Sequence, residues 1–234
     1  IVPRLEPVPA LYFTNFFDHA ATRGRLPFIP LGRFWSVSAS EGQDPVLPLI
    51  HVDKDQLSIT GLALFDEDRM VGVLQGPEVD SYLQATGVSR GNDFVTFPSP
   101  QEPDEQIGIR IRKRHSVIQV RERDDGSIAA TINITLEGDV ESRHGTVQLN
   151  LVEELSQIEQ ATADTLHQAI IKMIEKLQQL QVDPLGIGER VRAILPRKWR
   201  ELGGNRSAWQ AEFARMPIEV RLKFSIRRVG MQFR

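Results

Sequence analysis

Residues 151 to 182 read LVEELSQIEQATADTLHQAIIKMIEKLQQLQV, and their spacing decides the fold. Leu155, Ile158, Leu166, Ala169, Met173, Leu177 and Leu180 recur in steps of three and four, with Thr162 filling the one gap. That period predicts one long amphipathic helix. Glu154, Gln157, Glu159, Asp164, Gln168, Lys172, Glu175, Lys176 and Gln179 take the other face. At roughly 1.5 Å per residue the helix reaches about 40 Å. A single apolar stripe of that length needs a broad partner surface, and a sheet is the expected one.

The flanks supply it. After the helix, Asp183-Pro184 stops it, because proline cannot extend a helix, and Gly186 and Gly188 free the backbone for a reversal. Glu189 to Leu195 reads as a second, short helix, Pro196 breaks or restarts it before Trp199, Gly203-Gly204 is a hinge, and Trp209 and Phe213 sit four apart on a third short helix. In IEVRLKFSIRR, Ile218, Val220, Leu222, Phe224 and Ile226 alternate without a fault against Glu219, Arg221, Lys223, Ser225 and Arg227, which is a strand. Before the helix, Ile107, Ile109 and Ile111 alternate with Gly108, Arg110 and Arg112, and SVIQVRER continues after a phase shift near Lys113 to His115. Asp125-Gly126 then turns the chain into Ile128, Ala130, Ile132, Ile134 and Leu136, giving an antiparallel hairpin with one buried face. Gly138 to Gly145 is expected to turn the chain again.

Upstream, Pro3, Pro7 and Pro9 favour an extended lead-in, and Ala10 to Thr22 is helical in pattern. Pro27, Pro30, Gly32, Pro45 and Pro48 punctuate a long connection in which Phe34, Trp35 and Val37 suggest one short strand. Leu57 to Leu74 is a hairpin around Asp66 to Arg69, and Pro77 opens a short helix that Gly87 closes. The segment PSPQEPDEQ has three prolines and nothing to bury, which marks a boundary. The expectation is therefore an α+β chain of two mixed domains: 1–104, and 105–234 with an antiparallel sheet packed on the 151–182 helix and a last strand at 217–229.

Composition narrows the function. With 234 residues, 41% hydrophobic and 25% charged, the chain is an ordinary globular protein. It has no cysteine, so it holds neither a disulfide nor a thiolate metal site nor a cysteine nucleophile. No apolar run approaches the roughly 20 residues that span a bilayer. The first residues, Ile1-Val2-Pro3-Arg4, contain neither an initiator Met nor a signal peptide, so the chain reads as a piece of something longer. Histidines at 19, 51, 115, 144 and 167 share no metal-binding spacing, no phosphate loop occurs, and no Gly-x-Ser-x-Gly elbow for a serine hydrolase is expected. Gly186-Ile187-Gly188 precedes a helix but follows another helix rather than a strand, and reads as a tight turn. The expectation is a non-enzyme with no cofactor.

Charge is unevenly spread: 7 basic and 15 acidic side chains in residues 1–106, 9 and 13 in 107–189, 12 and 3 in 190–234. Arg110, Arg112 and Arg114 are expected on one side of their strand, and Arg221, Lys223 and Arg227 on one side of the last. If those strands are neighbours a basic sheet face results, which is either a solvated surface or a contact for a partner protein or an anionic membrane. Nucleic acid is not expected, because no aromatic residues interleave to stack bases.

The stretches LHQAIIKMIEKLQQLQVDPLGIGERVRAILPRKW and MPIEVRLKFSIRRVGM resemble the C-terminal domain of the Ger(x)C family, the C subunits of spore germinant receptors, and ITGLALFDEDRMVGVL resembles the family's middle region. The shared features are the long helix, the Asp183 to Gly188 turn with its short helix, Pro196 followed by Trp199, and the alternating last strand. The resemblance implies a lipoprotein on the outer face of the inner spore membrane that acts with A and B subunits in nutrient-triggered germination. This chain lacks the family's lipid-modified N-terminal cysteine and an N-terminal domain, and the family supplies no catalytic residues to carry over. Asp183, Gly186, Gly188, Pro196 and Trp199 are read as determining the fold. The alternatives are a nutrient-sensing domain with Trp35 or Tyr82 lining a cleft, and an anionic-surface module built on the basic strands.

Overall fold

The computed structural model describes residues 14, 15, 17, 18, 27, 29–53, 56–88, 94–98, 106–143 and 152–229. In chain order the elements are α1 (Leu31–Ser38), β1 (Val46–Asp53), β2 (Gln56–Asp66), β3 (Arg69–Leu74), α2 (Pro77–Thr86), β4 (Phe94–Pro98), β5 (Gln106–Glu122), β6 (Ile128–Arg143), α3 (Val152–Leu180), α4 (Ile187–Ile194), α5 (Pro196–Glu201), α6 (Arg206–Phe213) and β7 (Ile218–Val229). Of the helix expected over Ala10 to Thr22, only residues 14, 15, 17 and 18, all helical, are described. The boundary expected at 104 and 105 lies outside the described residues.

Strands β1-β2-β3 form one antiparallel sheet, and β4-β5-β6-β7 form another. Within the second sheet β4, β5 and β6 pair antiparallel, and β7 joins β6 in parallel. That one ladder departs from the expected all-antiparallel pairing. It follows from the connection: the chain goes from β6 to β7 through α3 and three short helices, a crossover long enough to bring it back in the same direction.

Helix α3 lies along this sheet with Ile158, Leu166, Ile170, Met173, Ile174 and Leu177 buried. Thr162, the polar residue in the stripe, is buried too and donates its hydroxyl to Ile158 O (2.6 Å). The stripe is wider than its three-and-four pattern suggests, since α3 is flanked by β7 on one side and α2 on the other, so Ile170 and Ile174 turn inward as well. Helix α2 begins at Pro77 and ends at Gly87, whose φ of 67° is the left-handed cap that glycine adopts without strain. Buried side chains from β1, β2, α2, both sheets' inner faces, α3 and α6 form one hydrophobic cluster.

Three local expectations are corrected. Phe34, Trp35 and Val37 lie on a helix, α1, started by Arg33 and Phe34 N–H donating to Pro30 O; Phe34 is buried against Phe65 while Trp35 is 62% exposed, so no two-residue alternation exists to support a strand. The segment VLPLIHVD is strand β1, with Pro48 on an edge where its missing N–H is tolerated. Gly138 does not turn the chain. It continues β6, and its bare Cα admits Ile109 Cγ2 and the Arg110 carbonyl, which a methyl there would meet at 2.8 and 2.9 Å.

The stripe sets a measurable contrast. Leu177→Ala, in the buried row, is expected to cost about 2–5 kcal/mol. Gln179→Ala, on the exposed face, should change stability by less than about 0.5 kcal/mol. Urea denaturation followed by circular dichroism measures both.

Candidate functional site

The most polar point in the interior is the turn after α3. Asp183 has no exposed surface. Its Oδ1 accepts from Gly186 N–H (2.9 Å), and its Oδ2 accepts from Gly188 N–H (2.8 Å) and the Trp209 indole Nε1–H (3.1 Å). Gly186 has φ 71°, a conformation glycine takes freely, and that geometry aims the first N–H groups of α4 back at the carboxylate. A methyl on Gly188 would run into Trp209 Nε1 and the Gly42 carbonyl.

The same turn holds the segment after α1. Asp183 N–H donates to Asp44 Oδ2 (2.7 Å), and Asp44 N–H to Asp183 O (2.9 Å). Asp44 Oδ1 takes Arg206 Nη1 (2.6 Å), and the other arm of that guanidinium donates to Ser38 O and Ser40 O. Arg206 N–H donates to Glu41 Oε2 (2.8 Å), Ser40 Oγ to Glu189 Oε1, and Glu189 N–H to Gly42 O (2.9 Å). Trp199, at the centre of α5, packs on Trp209 with centroids 5.8 Å apart, and Pro196 is the first residue of that helix. Burial pushes the Asp183 carboxyl up to about 7 against its three donors, and raises Asp44 as well, where the Asp183 N–H and Arg206 oppose it. Both oxygens of Asp183 and both of Asp44 accept from the protein's own donors, so these two carboxylates hold the fold together.

The basic residues are divided. Strand β6 lies between β5 and β7, so the two sets are not neighbours, and β6 places Glu137, Asp139 and Glu141 among them. Arg112 contacts Asp139 (2.7 Å) and Glu141 (2.8 Å), and Arg110 contacts Glu141 and lies over the Phe94 ring at 5.5 Å. Lys113 and Arg227 share Glu137 (3.3 and 3.4 Å), and Arg221 pairs with Glu219 (2.7 Å). A register shift between Ile111 and Lys113 moves Arg114 to the opposite, helix-covered face, where burial pushes its guanidinium down to about 10 and the Asp80 charge opposes that. Among the described residues Lys223 is the member of the set without an ion pair. Glu137, Asp139 and Glu141 were legible as acids, but their place beside the arginines depends on the hairpin register. Phe94, the first residue of β4, carried no sequence signal of its own.

Tyr82 is buried and lines a cavity of about 20 Å³ together with Arg33, Phe34, Asp44 and Pro184, room for about one water molecule and too little for an amino acid or a sugar. Trp35 points to solvent. One Gly-x-Ser-x-Gly string does occur, at Gly87 to Gly91, but it follows α2 rather than a strand, so the strand-to-helix elbow is missing; residues 89–91 lie outside the described set. Among the described residues no three His, Asp or Glu side chains converge as a metal site, and no helix is long and apolar enough to cross a membrane.

Residues 60–230 match the family model described as "Spore germination B3/ GerAC like, C-terminal". YfkR of Bacillus subtilis (strain 168), which carries a provisional spore germination name, is 25% identical over 214 residues, which are 85% of this chain and 54% of YfkR. Spore germination protein KC of the same organism is 24% identical over 102 residues, 43% of this chain and 24% of KC. This chain thus spans about half the length of YfkR and less of KC. The crystal structure of the GerBC protein superposes with a TM-score of 0.73 at 17% identity, covering 85% of this chain and 60% of that one, and shares the fold.

The buried carboxylates give stability an inverted pH dependence. A carboxyl raised to about 7 when folded, against 3.8 as its ordinary value, keeps a proton between those pH values that the unfolded chain has lost. Folding stability is therefore expected to fall as pH rises from about 4 to about 7, with a slope approaching one proton. In Asp183→Asn that part of the slope should vanish, while overall stability drops by about 2–4 kcal/mol through unmet N–H donors. Urea unfolding across that pH range reads both.

Proposed function

Because the chain belongs to the spore germination B3/GerAC-like, C-terminal family, we propose that it is part of a germinant receptor C subunit: a non-enzymatic, lipoprotein-type component at the outer face of the inner spore membrane. It acts through protein contacts with the A and B membrane subunits when nutrients trigger germination. The observation that carries this reading is the family match across residues 60–230, which takes in most of β2, β3, the whole β4–β7 sheet, α3 and Asp183 together. Its geometry is consistent with a role in contact rather than chemistry, because the Asp183 and Asp44 carboxylates are engaged in holding the turn and most charges on the open sheet face are compensated. Such surface ion pairs each contribute about 0–1 kcal/mol to stability, so they are free to be exchanged for a partner's charges.

Deleting the gene of the parent protein from the spore former that carries it is expected to abolish the response to its cognate nutrient, and re-expression should restore it. Spores are scored by loss of refractility after nutrient addition. An undiminished nutrient response in the deletion strain would overturn the receptor role.

A further inference from the structure

We propose that the edge of β7 left open among the described residues and the adjoining face of α3 take up an extended segment of a second protein, which pairs with β7 as an added strand; the identification of that second protein as a receptor subunit rests on the function proposed above. Ala130 N–H donates to Pro217 O (3.1 Å) in the parallel β6–β7 register, so the odd-numbered backbone groups of β7 face β6 and the even-numbered ones face outward. Helix α3 closes only the two ends of that outer row. His167 Nε2–H donates to Val220 O (3.2 Å), and Glu159 Oε1 accepts from Ile226 N–H (2.6 Å). Between them the N–H and C=O groups of Leu222 and Phe224 have no partner among the described residues. They open onto a groove of about 460 Å³ whose other wall is Glu159, Gln160, Ala163 and Asp164 of α3.

Unpaired strand groups beside a groove select an extended backbone. The surrounding charges select its side chains. On the outer face Lys223, which has no ion pair among the described residues, calls for an acidic residue on the added strand. On the helix face the exposed Asp164 carboxylate, held from one side by Gln160 Nε2 (2.9 Å), calls for a basic or amide residue. A second copy of this chain does not meet the requirement, because the two-fold antiparallel register that matches Leu222 with Phe224 sets Lys223 opposite Lys223, and like charges directly across a strand pair repel.

The test uses the full-length protein in spores, with a photo-reactive side chain in place of Gln160 or of Lys223 and, for comparison, of Gln119 on the outer sheet face or Ile194 on α4. Cross-links to one companion receptor subunit are expected from positions 160 and 223, landing in an extended stretch of that subunit. Leu222→Pro, which removes a central N–H, and Asp164→Lys should each lower the yield about tenfold, the weight of one hydrogen bond or charge contact. Melting curves establish that both variants fold; Asp164 is exposed, so the charge reversal serves even if the proline variant does not. Cross-links to a companion subunit from 119 or 194 but not from 160 or 223 overturn the groove and leave the receptor role standing. Undiminished yields in the variants overturn strand addition. No cross-link to a companion from any position counts against the receptor role, and the groove proposal falls with it.

Discussion

A single side chain, Asp183, fixes how the segment after α1 meets the short helices α4 and α6. An ion taken wholly out of water costs several kcal/mol unless its oxygens are met by donors. Asp183 meets that condition only if the turn at Gly186 and the start of α4 aim their N–H groups at it and if Trp209 of α6 is turned inward, because its three donors come from those places, while its backbone N–H and C=O tie Asp44 alongside. The requirement is geometric, so it orients short helices that their own apolar faces leave poorly determined. Arg206 extends the constraint by joining Asp44 to the carbonyls at the end of α1. Gln178 of α3, donating to Phe213 O and Met216 O (2.9 Å each), and Gln210 of α6, donating to Asp66 Oδ1 (2.7 Å), lock the same helices to the long helix and to the β2–β3 turn.

The elements legible in the sequence are those whose period is enforced over many residues. Helix α3 repeats its stripe for eight turns, β7 alternates from Ile218 to Arg227, and the turns at Asp125-Gly126 and Pro77 have few alternative conformations. Helix α1 has only two turns and one buried residue, Phe34, so periodicity had almost nothing to act on. The reach of β6 past Gly138 was hidden because glycine serves both turns and close strand approach, and only the Ile109 side chain opposite distinguishes them. The Asp183 turn was legible as a reversal from Pro184 and its glycines. Its buried partner Asp44 was not, since 139 residues of chain separate them and no local pattern announces such a pair.

A one-residue irregularity explains why the basic strands were the hardest feature to place. Strict alternation sets Arg110, Arg112 and Arg114 on one face, but the shift between Ile111 and Lys113 reverses parity for the rest of β5. After it Ser116, Ile118 and Val120 face the helices, and Ser116 Oγ donates to Ala85 O of α2 (2.6 Å). The bulge thus serves packing: it lets one long strand keep apolar residues inward on both sides of a polar interruption. Its electrostatic consequence is that Arg114 becomes an interior residue facing Asp80 while Lys113 takes its place outside against Glu137.

A sheet with exposed edges invites unwanted pairing, and the edges of this molecule are treated unequally. Edge strand β1 carries Pro48 in its middle, which breaks its row of donors. Edge strand β7 has no proline and alternates without interruption, so its protection has to come from elsewhere. His167 and Glu159 supply it at Val220 and Ile226, six residues apart, with side chains from a helix that already packs there. A helix running along a strand rises about 1.5 Å per residue against about 3.3 Å for the strand, so α3 needs roughly twice as many residues to follow the same edge. The eight residues from Glu159 to His167 span about 12 Å against about 20 Å for the six strand steps from Val220 to Ile226, so the two long side chains have to reach outward along the edge to its two points of contact. Leu222 and Phe224 lie between those points and face the groove.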